Sequence, residues 1–350
     1  MNSFRHRRAT SVENDALRVT VLHEGGHIAE ILDKRTGINP LWIPPWTSIE
    51  PSTYNSKRHA EYGRDADAPL LAGIMGHNLC LDIFGGPSAE EAAAGMPVHG
   101  ETSKARFDVA VRDGQIAMSA VLPAAQLRVE RRIALADRTV RVRESVENQS
   151  EADRPIGWTE HVTLGPPFLE KGATQFGASA TRSKVYEGVV GLDDYLEPGA
   201  EFAWPLAPLA AGGPADLRVY TAVARSSAYT AHLMDTSRDD AFFVAYSSSA
   251  GLAFGYSWRR ADFPWLGIWE ENHSRTAPPW NARTLTRGME FGVSPMPETR
   301  RQMIERGRLF DTPTFRWIPA RTRVEVEYSA VLRPAERIPE TLSEPTAQSG

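Results

Sequence analysis

An all-β antiparallel fold is what this 350-residue sequence predicts, and three observations carry it. Short runs alternate apolar and polar residues, the period-two pattern of strands with one buried and one solvated face. Between residues 217 and 258 such runs recur about every dozen residues, the spacing of a large sandwich. Against these strands stands one good helix candidate, TRRQMIERGR at 299–308, ended at Gly307.

Composition bounds the rest. The chain is 41% hydrophobic and 24% charged, enough to bury a sizeable core. Length alone would suggest two domains, but all-β folds often run past 200 residues as one. The reading is therefore an N-terminal extension at 1–14, a single domain at 15–334 and a loose, Pro-rich tail at 335–350. A net charge of −5 spread over interspersed acids and bases speaks against nucleic acid as a partner. The single cysteine, Cys80, excludes an intrachain disulfide and any multi-cysteine metal site. The first fifteen residues carry charges without a following apolar segment, and no run of about 18 apolar residues occurs, which predicts a cytoplasmic protein that does not enter membranes. A homodimer follows only from the base rate of oligomers.

Taken in order, residues 16–22 (ALRVTVL) and 27–32 (HIAEIL) read as a hairpin around Gly25 and Gly26. HEGGH at 23–27 matches a zinc-protease pattern, but that pattern needs a helix, which adjacent glycines after a strand disfavour. Residues 39–62 hold prolines at 40, 44, 45 and 51, so they predict a long loop carrying Trp42, Trp46 and Tyr54. These rings either plug a sheet end or wall a site whose flat faces suit sugar rings. Ser88 caps a single helical turn at 89–94, while His77, Asp82 and His99 fall at strand ends or connections among glycines. Four strands follow within 105–150, their many arginines assigned to an outward polar face. PIGWTEHVTLGPPF at 155–168 is an odd strand, with His161 and Glu160 side by side and a Gly-Pro-Pro exit. Residues 198–208 predict no regular structure, and strands are expected at 217–223, 229–234, 242–246 and 252–258. Further on, FPWLGIWEEN ends in Glu270 and Glu271, RGMEFGVSP buries one acid, Glu290, and 316–332 closes the sheet.

Four pieces, in order, resemble the aldose 1-epimerase (galactose mutarotase) superfamily across about residues 15–332. GMPVHG at 95–100 is similar to that family's Leu-His-Gly-Gly segment, and TEHVTL at 159–164 to its Asn-His-aromatic strand. LGIWEEN with RGMEFG resembles its paired strands bearing the catalytic glutamate, and WIPARTRVEVEYS its closing strand. The resemblance implies a galactose mutarotase-like β-supersandwich that cups a small-molecule carbohydrate and needs no cofactor and no metal. It implies Glu290 as base on the anomeric hydroxyl, His161 as acid on the ring oxygen and His99 as the second histidine. Departures are clear: the family's Gly-Arg-x-x-Asn-Arg-Ile segment is here GHNLCLDIF, Glu160 replaces Asn before the histidine, and Phe-Gly follows Glu290 where the family has Thr-Gln. His77, Asp82, Glu160, Trp269, Glu271 and Trp46 are accordingly the candidate sugar contacts.

The chemistry stands on its own footing. Moving a proton off one oxygen and onto its neighbour needs an acid and a base flanking one carbon. Glu290 lies between Met289 and Phe291, so burial favours its protonated form, and histidine delivers protons near neutral pH. The competing reading pairs a buried Glu290 with Arg287 or Arg275. Three functions stay open: a mutarotase, a non-catalytic carbohydrate binder or sensor, and a lyase or hydrolase on the same fold.

Overall fold

Alternating runs become two sheets because each must bury its apolar face, and here they bury it against each other. The computed structural model describes residues 3–342. A front sheet of 12 strands and a rear sheet of 8 are antiparallel throughout. At the centre of the front sheet Arg154–Leu164 lies between His77–Asp82 and Leu285–Gly292, followed outward by Trp265–Asn272 and Ser226–Met234. The rear sheet runs from Gln175–Ala178 through Leu252–Arg259, Arg323–Pro334 and Thr139–Asn148 to Asp108–Arg112.

Between the sheets, Trp158, Val162, Met289 and Phe291 from the front meet Phe243, Tyr256, Tyr328 and Val142 from the rear. The Phe291 ring stacks on Trp258 at 4.3 Å. Burying a side chain of this size contributes about 1.5–3 kcal/mol, which makes the interface the main source of stability.

One polar network is set into it. Arg131 and Glu144 face each other across neighbouring rear strands, with Arg131 Nε donating to Glu144 at 2.5 Å and Nη2 to Glu160 of the front sheet at 3.1 Å. The Trp158 indole N–H reaches Glu144 at 2.8 Å, and the Tyr328 hydroxyl donates to Glu160 at 2.8 Å. His77 Nε2 lies 2.7 Å from the same Glu160 oxygen, and its Nδ1 meets the Tyr256 hydroxyl at 2.9 Å. Burial raises the Glu144 carboxyl to about 8, partly offset by Arg131 and reinforced by Glu160.

Several expectations change. Of the extension expected at 1–14, the described residues belong to the domain: Arg7–Glu13 pairs with Leu17–Leu22 inside the front sheet, anchored by Arg7 bonding Glu50 and Ser48. At the other end, Ala335, Ile338 and Leu342 pack on Phe242 and Val244, so residues 335–342 are part of the domain, while 343–350 lie outside the described residues. Arg131 points inward rather than to solvent, because a fully buried pair of glutamates needs a cation. Residues 217–223 form no strand; Val219 makes only an isolated bridge to Gln175. Residues 198–208, expected to be irregular, contain the short strands Glu201–Ala203 and Leu206–Pro208. The HEGGH segment is a turn with Gly25 and Gly26 at φ 79° and 62°, not a helix. The helix expected at 299–308 forms as Arg300–Arg306, with a Thr299 and Gln302 capping box and Gly307 at φ 62°. No helix of the described residues is long and apolar enough to cross a membrane.

Replacing Arg131 by Met strands two buried carboxylates and should cost about 3–5 kcal/mol, whereas the same change at exposed Arg132 should stay within about 0.5 kcal/mol. Urea denaturation followed by circular dichroism checks this, and equal effects at the two positions would refute the inward network.

Candidate active site

Side chains alternate along a strand, so Arg154–Leu164 serves two compartments. Trp158, Glu160 and Val162 point inward, and His161 and Thr163 point out onto the front face. Register then sets a row: His161 lies opposite Asn78 on one side and Glu290 on the other, and Glu290 lies opposite Gly267. His161 Nδ1 engages the Thr163 hydroxyl at 3.1 Å, which turns Nε2 toward Glu290 Oε1, also at 3.1 Å. That second contact is close but not aligned as a hydrogen bond, and Glu290 Oε1 is left without a partner.

Room for the carboxylate comes from Gly288, where a β-carbon would stand 2.3 Å from Glu290 Oε1. His99 arrives from a loop at φ 64°, its N–H donating to Gly85 O at 3.1 Å. The loop can press this close because a β-carbon on Gly100 would stand 1.9 Å from Leu81 O. The His99 ring sits 5.1 Å from that of His161, and its buried Nδ1 has no partner. The three residues assigned from the sequence as acid, base and second histidine thus converge on one spot.

They open into a cavity of about 270 Å³, near the small end of ligand pockets at roughly 300–1,000 Å³. Its other walls are Leu70, Ile74, Phe84, Val98, Trp269 and Trp280, with Tyr186, Tyr229, Asp67 and Arg275. The Arg275 guanidinium lies 5.5 Å from the Trp269 ring centre and 4.8 Å from that of Trp280, and donates to Val190 O at 2.8 Å.

Burial dominates the electrostatics. Desolvation lifts the Glu290 carboxyl well above its usual range. The same cause depresses the His161 imidazole to about 3 and holds His99 well below its ordinary value, with the neighbouring imidazole and Arg275 adding to the effect on His99. Burial thus favours the protonated carboxyl at Glu290 and the neutral imidazole at both histidines. Among the described residues no arginine pairs with Glu290: Arg287 faces inward, bonding Glu270 at 2.6 Å, and Arg275 is held over the tryptophans.

The remaining expected sugar contacts sort differently. Trp269 lines the cavity. His77 and Glu160 do not, since strand alternation turns them into the inter-sheet network. Asp82, at a strand end with φ 80°, is held by Arg154 at 2.8 Å and Arg300 at 2.6 Å and ties the 300–306 helix to the sheet. Glu271 accepts the N–H groups of Ser274 and Arg275 at 2.6 and 2.9 Å, so it builds the turn that delivers Arg275 instead of reaching the cavity. Trp46 donates to Leu71 O at 2.9 Å and stands edge-on to Trp280 at 5.2 Å, a support behind the wall. Asp67, Phe84 and Tyr229 went unassigned from sequence. Tyr229 shares strand parity with Ala231 and Leu233, which pack with Trp269, and that parity was its only signal. Asp67 sits in a charged loop that offers none.

No protein family and no curated protein matches the chain by sequence. Solved structures do match by fold. A candidate aldose 1-epimerase from Klebsiella pneumoniae superposes with TM-score 0.67 at 12% identity, covering 96% of this chain and 82% of its own. A candidate aldose 1-epimerase from Escherichia coli K12 gives 0.61 at 14%, covering 93% and 99%. A galactose mutarotase-like protein from Clostridium acetobutylicum gives 0.60 at 12%, covering 95% and 97%. Likeness at such identities establishes architecture and leaves chemistry to the site itself. The chain has the β-sandwich fold of the galactose mutarotase-like proteins.

Proposed function

We propose that this protein is an aldose 1-epimerase-like isomerase that interconverts the anomers of a small carbohydrate through Glu290 and His161. The observation that carries the reading is the 3.1 Å contact of a buried glutamate with a buried histidine, at the floor of a cavity and without an arginine partner. Glu144, Glu160 and Glu270, which face the inter-sheet space, each bond a guanidinium; Glu290 lies against an imidazole.

The burial effects leave one proton for the two groups to share. Passing it from Glu290 to His161 across their contact creates a carboxylate base beside an imidazolium acid. The carboxylate then takes the proton of the anomeric hydroxyl while His161 Nε2 protonates the ring oxygen. The bond from the anomeric carbon to the ring oxygen breaks, and its electron pair stays on that oxygen as the carbonyl forms. Glu290 is again protonated and His161 neutral, the distribution that burial favours. Rotation of the freed carbonyl and reversal of the steps closes the ring on its other face. Thr163 positions the imidazole, and the apolar walls exclude water that would otherwise level the difference between the two groups.

A hydrolase would need a second carboxylate at a distance of about 5–9.5 Å. Glu270 faces the other side of the sheet and Glu271 is engaged by its turn, which leaves Asp67, on the loop side, as the one carboxylate besides Glu290 that lines the cavity.

Exchange NMR with a panel of aldoses should show anomer interconversion accelerated by the wild type, with Glu290→Gln and His161→Gln each slower by about 10²–10⁴-fold. Acceleration retained by Glu290→Gln would defeat the mechanism, and binding without exchange in the wild type would make the protein a binder.

The pH dependence has a definite sign. Activity needs the pair to hold one proton, so it is lost in acid only when His161 takes a second, at its depressed value of about 3. It is lost in alkali when the shared proton leaves the raised Glu290 carboxyl. kcat/KM should therefore not fall on acidification through the ordinary histidine value of 6.5. A fall centred near that value would show a solvated histidine and contradict the buried pair.

A further inference from the structure

The cavity's polar groups are few and gathered. His99, His161 and Glu290 cluster at one place on the floor, and Asp67 and Arg275 stand on the loop side. Several polar atoms are already engaged: the Tyr229 hydroxyl donates to Pro295 O at 3.1 Å, and Arg275 donates to Val190 O. Tyr186 adds one hydroxyl, and the other lining side chains are apolar, with Leu70, Ile74, Phe84, Val98 and the faces of Trp269 and Trp280 as the main walls.

A fully hydroxylated aldose ring carries a hydroxyl on nearly every carbon, and each one desolvated without a partner disfavours binding. The floor cluster can serve the reacting edge of such a ring, the anomeric hydroxyl and ring oxygen. Leucine, isoleucine, valine and phenylalanine side chains have nothing to offer the others. A ring with C–H groups in place of hydroxyls suits these walls, and indole faces favour the apolar face of a sugar.

We propose that the preferred substrate is a deoxy-aldose, held by its anomeric edge on the floor cluster and by its hydroxyl-poor body against the apolar walls. The inference rests on the isomerase reading for its chemistry and on the wall composition for its specificity, and the two can fail separately.

The test uses sugar pairs that differ by one hydroxyl: 6-deoxygalactose with galactose, 6-deoxymannose with mannose, and 2-deoxyglucose with glucose. Anomer exchange is measured by NMR, and binding by quenching of tryptophan fluorescence. In at least one pair the deoxy sugar should exchange about ten- to hundred-fold faster, the discrimination an apolar pocket exerts against an added hydroxyl. Val98→Thr, which places a hydroxyl of nearly the same size on the wall, should narrow that ratio. Equal or faster exchange of the hydroxylated partner in every pair would overturn the proposal, as would a Val98→Thr variant that widens the ratio. If no sugar is exchanged but the deoxy partner binds more tightly, the specificity stands and the isomerase reading falls. Absence of both exchange and binding across the panel removes both.

Discussion

Everything in this protein turns on a strand that is buried on both faces. Arg154–Leu164 runs through the middle of the front sheet with its last nine residues all buried. On a strand so covered each polar side chain needs a partner within the protein or in the cavity, because bulk water reaches little of either face. The inward side meets that demand with Arg131, Trp158, Tyr328 and His77 around Glu160 and Glu144. The outward side meets it only in part: Thr163 bonds the His161 imidazole, while Glu290 Oε1 and His99 Nδ1 remain unpartnered.

That contrast separates structure from function more sharply than burial does. Glu160 and Glu144 share Arg131, Glu270 has Arg287, and Asp82 has both Arg154 and Arg300. Each of these acids is bonded by a guanidinium. Glu290 has a histidine whose own proton affinity is depressed by the same burial. A fold gains nothing in stability from two mismatched titratable groups in contact, whereas proton transfer requires such a pair. The inter-sheet network and the cavity floor are thus two uses of one strand, joined by the register that aligns Glu160 and His161 with their respective neighbours.

Much of the architecture was legible before any coordinates. Alternation located the central and rear strands, turn residues placed the 23–27 hairpin, and a capping sequence located the 300–306 helix. Where reading failed, a long-range partner was the cause. Arg131 looks like any arginine of a polar strand face until Glu144 and Glu160 are seen across it. Residues 7–13 look like part of an N-terminal extension until they pair with Leu17–Leu22. Glu160 was grouped with His161 because the two are adjacent, although strand parity alone puts adjacent side chains on opposite faces and Trp158 and Val162 already mark the inward one.

By itself the sequence determined the fold class, the strand bearing His161, the apolar neighbours that bury Glu290 and the resemblance that put His99 beside them. Those features are local or pattern-like, set by side-chain periodicity and by residues close in the chain. Tertiary structure alone decided that His161 and Glu290 stand opposite each other, that His77 and Glu160 belong to the other face, and that the space above the pair is walled by leucine, phenylalanine and tryptophan. Antiparallel register and the meeting of distant loops bring together residues more than a hundred positions apart, and no local pattern encodes which of the available faces they will share.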